Sequence, residues 1–376
     1  MAPSRNGVQG RFLALLASLF LLAAVTTAAA IPAPAADQSP ALDTRSLFNI
    51  ALPILPCFKP TVRKEWSKLT SKEKKAYTAA VMCLANKPSI AKSIPAAVHR
   101  YDDFTGVHNM QTPDIHFVGH FLPWHRYYLW AYEKALKEEC GYKGTQPYWD
   151  WTKDAETMPG KSMSQFDIFS GVDGFGGNGP WVETTPEQNW MGINDRTGGG
   201  CVTDGPFVNM TLNVGPGADY STRNPHCLIR DFAPEKFKDN VGQDTINEVI
   251  QHKKYEDFAW RLEGLPGWSM KNFHGGGHFG VGGLLGSMGD SNNSPNDPVF
   301  YLHHANIDRI WTQWQEKNLI PRILDMGGPI KAFDYSNQRA GNVTLAFKIG
   351  LNELAPEIPI AAVMYTRGPM LCYKYE

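Results

Sequence analysis

Eight of the chain's eleven histidines fall into three short clusters, and this crowding limits what the chain can fold into. His108, His116, His120 and His125 lie within 18 residues, His274 and His278 are four apart, and His303 and His304 are adjacent. A buried imidazole needs a partner for each ring nitrogen or a metal to take its lone pair. One such histidine reads more naturally as a satisfied core residue. Clusters this dense, set among aromatic residues, read instead as ligands converging on metal.

The patterning around the clusters supplies the helices to carry them. Thr70 with Glu73 three residues on is a capping-box pattern, and Tyr77, Ala80, Val81 and Leu84 follow as an apolar stripe. A second helix is predicted from about Phe121 to Glu139, with Pro123 in its first turn and Gly141 as its stop. A third starts near Asp297-Pro298 and runs to about Lys317. A less regular helix is expected between about Phe237 and Leu262. His125 shares a face with Leu129, Tyr132 and Leu136, and His304 with Asp308, Trp311 and Gln315, so both should point inward. Spacing of four also puts His274 and His278 on one face, within reach of a single ion. Residues 153–230, rich in Gly, Asn and Pro, read as long loop, and residues beyond Pro321 as short extended pieces. The expected fold class is therefore mainly α, a helix-bundle core with long loops and a few short strands.

All-nitrogen ligation without a nearby thiolate suits copper ahead of zinc or iron. The H-E-x-x-H signature of a hydrolytic zinc site is absent. A formal net charge of −1 gives no basic surface for nucleic acid or an anionic membrane.

Residues 1–30 read as a secretory signal peptide: Arg5 and Arg11 precede an apolar run over 12–25, and residues 28–30 give an A-x-A cleavage site. Residues 31–56 read as a flexible mature end and 57–376 as one catalytic domain. No membrane association is expected once the signal is cleaved. A secreted, extracellular chain can oxidise its six cysteines to three disulfides, of about fifteen possible pairings. Cys201 and Cys227 are read as stapling part of the long loop. Asn209, Asn292 and Asn342 are glycosylation sequons, the second weakened by Pro295.

Residues 116–128 (HFVGHFLPWHRYY) and 297–311 (DPVFYLHHANIDRIW) resemble the two copper-binding signatures of tyrosinases and catechol oxidases. The resemblance extends from Arg63-Lys64-Glu65-Trp66 to Tyr373-Lys374-Tyr375, which is similar to the Y-x-Y closing the core domain of that family. It is greatest to the short fungal polyphenol oxidases, without the C-terminal shielding domain of many relatives. It implies a dinuclear type 3 copper centre, with His108, His116 and His125 on copper A and His274, His278 and His304 on copper B. It also implies that two coppers pass electrons from a small phenolic substrate to O2. His120 competes with His116 and His303 with His304, but the family pattern favours the residues assigned; His99, His226 and His252 are left as structural.

Four further residues are implied at the site. Asp308, one turn after His304, is expected to accept a hydrogen bond from a ligand imidazole, with pairing to Arg309 or Arg126 as the alternative. Phe300 stands where relatives place an aromatic ring over copper. Gly275 follows the first copper B histidine, where strong monophenol hydroxylation is associated with Asn, and Glu263 is the nearest upstream carboxylate that could bind a water. Asp114 stands where some relatives have the cysteine of a thioether bond, so no such bond forms here. Gly275 therefore favours oxidation of catechols or o-aminophenols to quinones. The alternatives are a true tyrosinase hydroxylating monophenols, in tailoring of a phenolic metabolite, and a dicopper oxygen carrier.

Overall fold

The computed structural model describes residues 55–265, 270–336 and 338–376. The signal peptide and nearly all of the flexible mature end expected from the sequence lie outside them. Among these residues ten α-helices account for most of the regular structure: α1 (Ser71–Leu84), α2 (Arg100–Ile115), α3 (Phe121–Cys140), α4 (Trp151–Glu156), α5 (Pro234–Asn240), α6 (Gln243–Val249), α7 (Tyr255–Leu262), α8 (Phe273–Gly282), α9 (Val299–Glu316) and α10 (Leu319–Leu324). Six strands of two or three residues form three two-stranded sheets. Among the described residues no helix is long and apolar enough to cross a membrane.

Local chemistry sets the helix ends. The Thr70 hydroxyl accepts from the Glu73 N–H at 3.3 Å while the Glu73 carboxylate accepts from the Thr70 N–H at 2.8 Å, closing the capping box of α1. α3 ends on Gly141, whose φ of 68° is left-handed and whose N–H bonds back to the Leu136 carbonyl. At the start of α9 the Asp297 carboxylate accepts from the Val299 N–H at 3.1 Å.

The helix expected over 237–262 is instead three short ones. Gly242 stands between α5 and α6, and residues 250–254 separate α6 from α7. α2 has no counterpart among the sequence expectations. Its Arg100, Asp102, Asp103, Thr105, His108 and Asn109 are all buried, so the polar stripe that betrays an amphipathic helix is missing.

Close packing explains the glycines of α8. A Cβ on Gly276 would lie 2.4 Å from Cβ of Asn240, one on Gly280 2.7 Å from Cβ of Phe237, and one on Gly277 2.1 Å from Cε1 of His303. The low helix propensity of this run is thus exchanged for direct seating of α8 on α5 and α9, a support independent of any metal.

Three disulfides, Cys57–Cys372, Cys83–Cys140 and Cys201–Cys227, pair all six cysteines, and the last one does staple the long loop. The first joins the two ends of the described chain, where β1 (Thr61–Arg63) pairs in parallel with a strand over Tyr373–Tyr375.

Candidate metal centre

α2, α3, α8 and α9 bring two histidine triads face to face. His108 comes from the middle of α2, His116 from its C-cap and His125 from the second turn of α3. His274 and His278 sit one turn apart on α8, and His304 projects from α9. Within each triad, one ring nitrogen from each histidine lies within 4.8 Å of the others. Across the divide, the His125 and His304 rings stack at 4.5 Å and 12°.

Backbone carbonyls decide which nitrogen each ring presents. Nδ1 of His108 meets Asn292 O at 2.9 Å, of His116 Thr112 O at 3.1 Å, of His125 Phe121 O at 2.8 Å and of His278 Met288 O at 2.9 Å. A carbonyl accepts only, so each Nδ1 carries the proton and each Nε2 keeps its lone pair. Nε2 of His108, His125 and His274 is buried without a hydrogen-bond partner among the described residues, and Nε2 of His278 faces Nε2 of His304 at 3.1 Å. For His108 and His125, whose tautomers the carbonyls fix, this leaves a buried acceptor bare, which is costly unless a cation takes it. Burial drives the same choice: it lowers His116 and His278 to about 4 and the other four rings well below the usual histidine value, so the triads stay neutral at pH 7.

The two competing histidines stand outside the triads. His120 packs against Phe347 at 4.8 Å, and Nε2 of His303 meets the His274 carbonyl at 3.1 Å with its ring over Gly277. Phe300 is fully buried, its ring 4.2 Å from His304, 5.4 Å from His108 and 5.9 Å from His278, so it touches both triads. Asp114 pairs with Lys331 at 3.1 Å on the surface.

Asp308 takes the alternative expected for it, pairing with Arg126, and not the first. Its carboxylate holds no ligand imidazole; Oδ1 accepts from Nε of Arg126 at 2.5 Å and Oδ2 from the hydroxyls of Tyr373 and Tyr375, each at 2.5 Å. Buried Arg63 stands 3.6 Å away and is shared with Glu133. The reason is directional: the carbonyls already occupy four of the ligand Nδ1 positions, and the Arg126 guanidinium, stacked on Trp311 at 3.6 Å, needs a counter-charge. The signal was present in the Y-x-Y motif, since residues two apart on a strand share a face and can present both hydroxyls to one acceptor.

Glu263 lies at the edge of the site. Oε1 accepts from the Phe117 N–H at 3.0 Å, beside His116, while Oε2 is buried without a partner. Burial pushes this carboxyl up to about 8, against the smaller opposing effect of that hydrogen bond. Gly275 is the N-terminal-turn residue whose N–H donates to the Asn272 side-chain oxygen at 2.6 Å; a Cβ there would stand 2.9 Å from that oxygen.

Fold and site define a helical protein whose core presents two convergent three-histidine sets on short, close-packed helices. Residues 98–317 match the family described as the common central domain of tyrosinase. The chain is 34% identical over 330 residues to tyrosinase-like protein phomQ1' of Diaporthe leptostromiformis, covering 86% of this chain and 82% of the relative. It is 34% identical over 343 residues to N-acetyl-6-hydroxytryptophan oxidase ivoB of Emericella nidulans, covering 84% and 92%. A glycine-to-asparagine mutant of polyphenol oxidase from Thermothelomyces thermophila has the same fold at a TM-score of 0.75 and 34% identity, covering 89% of this chain and 93% of that one. The chain belongs to the tyrosinase family, and is a tyrosinase-family oxidoreductase. That family implies a dinuclear copper site, and the bare, neutral, nitrogen-only donor sets fit it.

Proposed function

We propose that the chain is a secreted copper-dependent oxidase that uses O2 to convert o-diphenols, and by the same chemistry o-aminophenols, to o-quinones or their imines. His108, His116 and His125 would hold one copper and His274, His278 and His304 the other. The observation that carries this is the pair of triads, each with its three ring nitrogens within 4.8 Å of one another, four of the six rings having Nδ1 on a carbonyl. Bound there, the copper pair supplies the redox chemistry between phenol and O2.

The protein's own part is orientation and exclusion of water. Five of the six histidines are buried and His116 is partly exposed, so substrate is read as approaching on the His116 side. Phe300 closes the opposite apolar contact between the triads. Glu263, with one free oxygen, is the residue proposed to hold a water. Gly275 has no side chain to help it, which favours substrates that already carry two hydroxyls. The name of the ivoB relative points to oxidation of a hydroxylated aromatic metabolite, and a phenolic metabolite is the substrate class we assign here. Secretion rests on the leader pattern of residues 1–30, and glycosylation on exposed Asn209 and Asn342.

The test is oxygen uptake by the copper-loaded protein with 4-tert-butylcatechol beside 4-tert-butylphenol. Uptake with the catechol and not the phenol is expected. Equal uptake with both would make it a monophenol hydroxylase and remove the meaning given to Gly275.

A further inference from the structure

His116 is the site histidine with the least helix around it. The other five sit within α2, α3, α8 and α9, whereas His116 is the C-cap of α2, with extended backbone at φ −117° and ψ 147°. Pro113 lies in the last turn of α2 and has no N–H to bond it. The ring hangs from that same turn, through Nδ1 on Thr112 O at 3.1 Å. Helix ends open more readily than helix middles, while a metal ligand has to be held to about 0.5 Å. Asp114 offers no sulfur for a covalent link to His116, so the restraint has to come from elsewhere in the fold.

The residues just beyond His116 are fastened from two sides. The Phe117 N–H donates to Glu263 Oε1 at 3.0 Å, and the Phe117 carbonyl accepts from the Phe333 N–H at 3.3 Å. The Gly119 N–H donates to Pro329 O at 2.8 Å, and the Gly119 carbonyl accepts from the Tyr255 hydroxyl at 2.7 Å. These four backbone groups thus bond to α7 and its C-cap Glu263 on one side and to residues 329–333 on the other. The Phe117 and Phe333 rings stack at 4.5 Å and 20°, both on left-handed backbone, at φ 56° and 61°. That conformation is costly for a non-glycine residue and persists only where the surroundings impose it. Residues 327–335 are themselves anchored: the Ile330 N–H donates to Gly341 O at 3.0 Å and the Val343 N–H to Gly328 O at 2.8 Å. The Asp114–Lys331 pair is exposed on both sides and adds little.

We infer that residues 327–335 form a strap that positions His116 for metal, with Phe333 as the residue that grips it. Phe333 acts through Phe117, the next residue after His116, and is a positioning residue rather than a ligand. The inference rests on the copper reading above. Losing the grip loosens the triad of His108, His116 and His125 and leaves the triad on α8 and α9 as it was. Phe333 is 49% exposed, so removing its ring opens no core cavity. Glycine tolerates the left-handed backbone, so Phe333→Gly removes the stack and keeps the N–H that bonds Phe117.

Copper affinity, read by competition with a chelator, tests this in two single-site backgrounds. His278→Gln keeps the His108, His116 and His125 triad whole, and His125→Gln keeps the other. Phe333→Gly should weaken copper about 2- to 10-fold in the first background, the worth of one aromatic stack, and leave it unchanged in the second. Phe333→Tyr, which keeps the ring, should hold the native affinity in both. In the metal-free chain with all six histidines present, hydrogen exchange at the Phe117 and Gly119 amides should speed up by a similar factor in Phe333→Gly. An equal effect on copper in both backgrounds, or no effect in either, overturns the inference, and so does unchanged exchange. If Phe333→Gly does not fold, Phe333→Leu carries the same test, since it keeps apolar bulk and loses the ring. Absence of copper binding by the native chain would instead sink the copper reading, and exchange in the metal-free chain would still decide whether the strap holds the segment that follows His116.

Discussion

Removing metal should make the protein sensitive to mild acid, by an amount that follows from the histidine triads. Burial holds His116 and His278 at about 4 in the folded chain. In the unfolded chain both return to about 6.5. Between those values the unfolded state binds more protons, so stability falls as pH drops from 6.5 towards 4 and is fully present only above 6.5. From pH 7 to pH 5 each of these two rings withdraws about 2 kcal/mol, and the pair about 4 kcal/mol. The four remaining ligand rings shift in the same direction and add to the loss. Against a marginal stability of ~5–15 kcal/mol this is a large fraction. Urea unfolding of the metal-stripped, disulfide-intact protein should show its midpoint falling by on the order of 1 M between pH 7 and pH 5. Copper-loaded protein should hold its midpoint to lower pH, because metal competes with protons for the neutral nitrogens. A His116→Gln/His278→Gln double variant should lose about 4 kcal/mol of that pH dependence. An apo midpoint that does not move between pH 7 and pH 5 would refute the burial argument.

Other perturbations read different parts of the account. Asp308→Asn leaves Arg126 and Arg63 buried with less counter-charge and should cost about 3 kcal/mol in chemical denaturation. Copper stoichiometry should survive that change, because Asp308 orients no imidazole; loss of copper with unchanged stability would restore the ligand-orienting role. Gly277→Ala drives a methyl into His303 and should destabilise by about 1–3 kcal/mol, seen as a lowered Tm. Thr70→Ala opens the capping box and should cost about 1 kcal/mol in the same assay, with catechol oxidation unaffected.

The parts of the molecule that were legible in the sequence are those where local chemistry and global packing agree. α1, α3 and α9 announce themselves by caps, stops and apolar faces, and His125 on α3 and His304 on α9 point where their helical faces require. α2 was hidden because its buried polar residues are satisfied by distant partners, as when Asp102 accepts from the Asn213 N–H at 3.1 Å. Periodicity registers polarity and has no access to such pairing. The continuous helix expected over 237–262 failed for a related reason: Phe237 and Asn240 are spent on the glycine face of α8, so α5 follows α8 rather than α6. For Asp308 the alternative partner Arg126 is the one found, while the two tyrosines more than sixty residues away that fill its other oxygen were not anticipated.

Copper titration of the metal-free chain, followed by metal analysis after gel filtration, tests the central claim most directly. The account predicts two copper ions per chain, falling to one in His125→Gln and to one in His278→Gln, since each removes a ligand from a different triad. One copper in the native chain, or two in either variant, would contradict it.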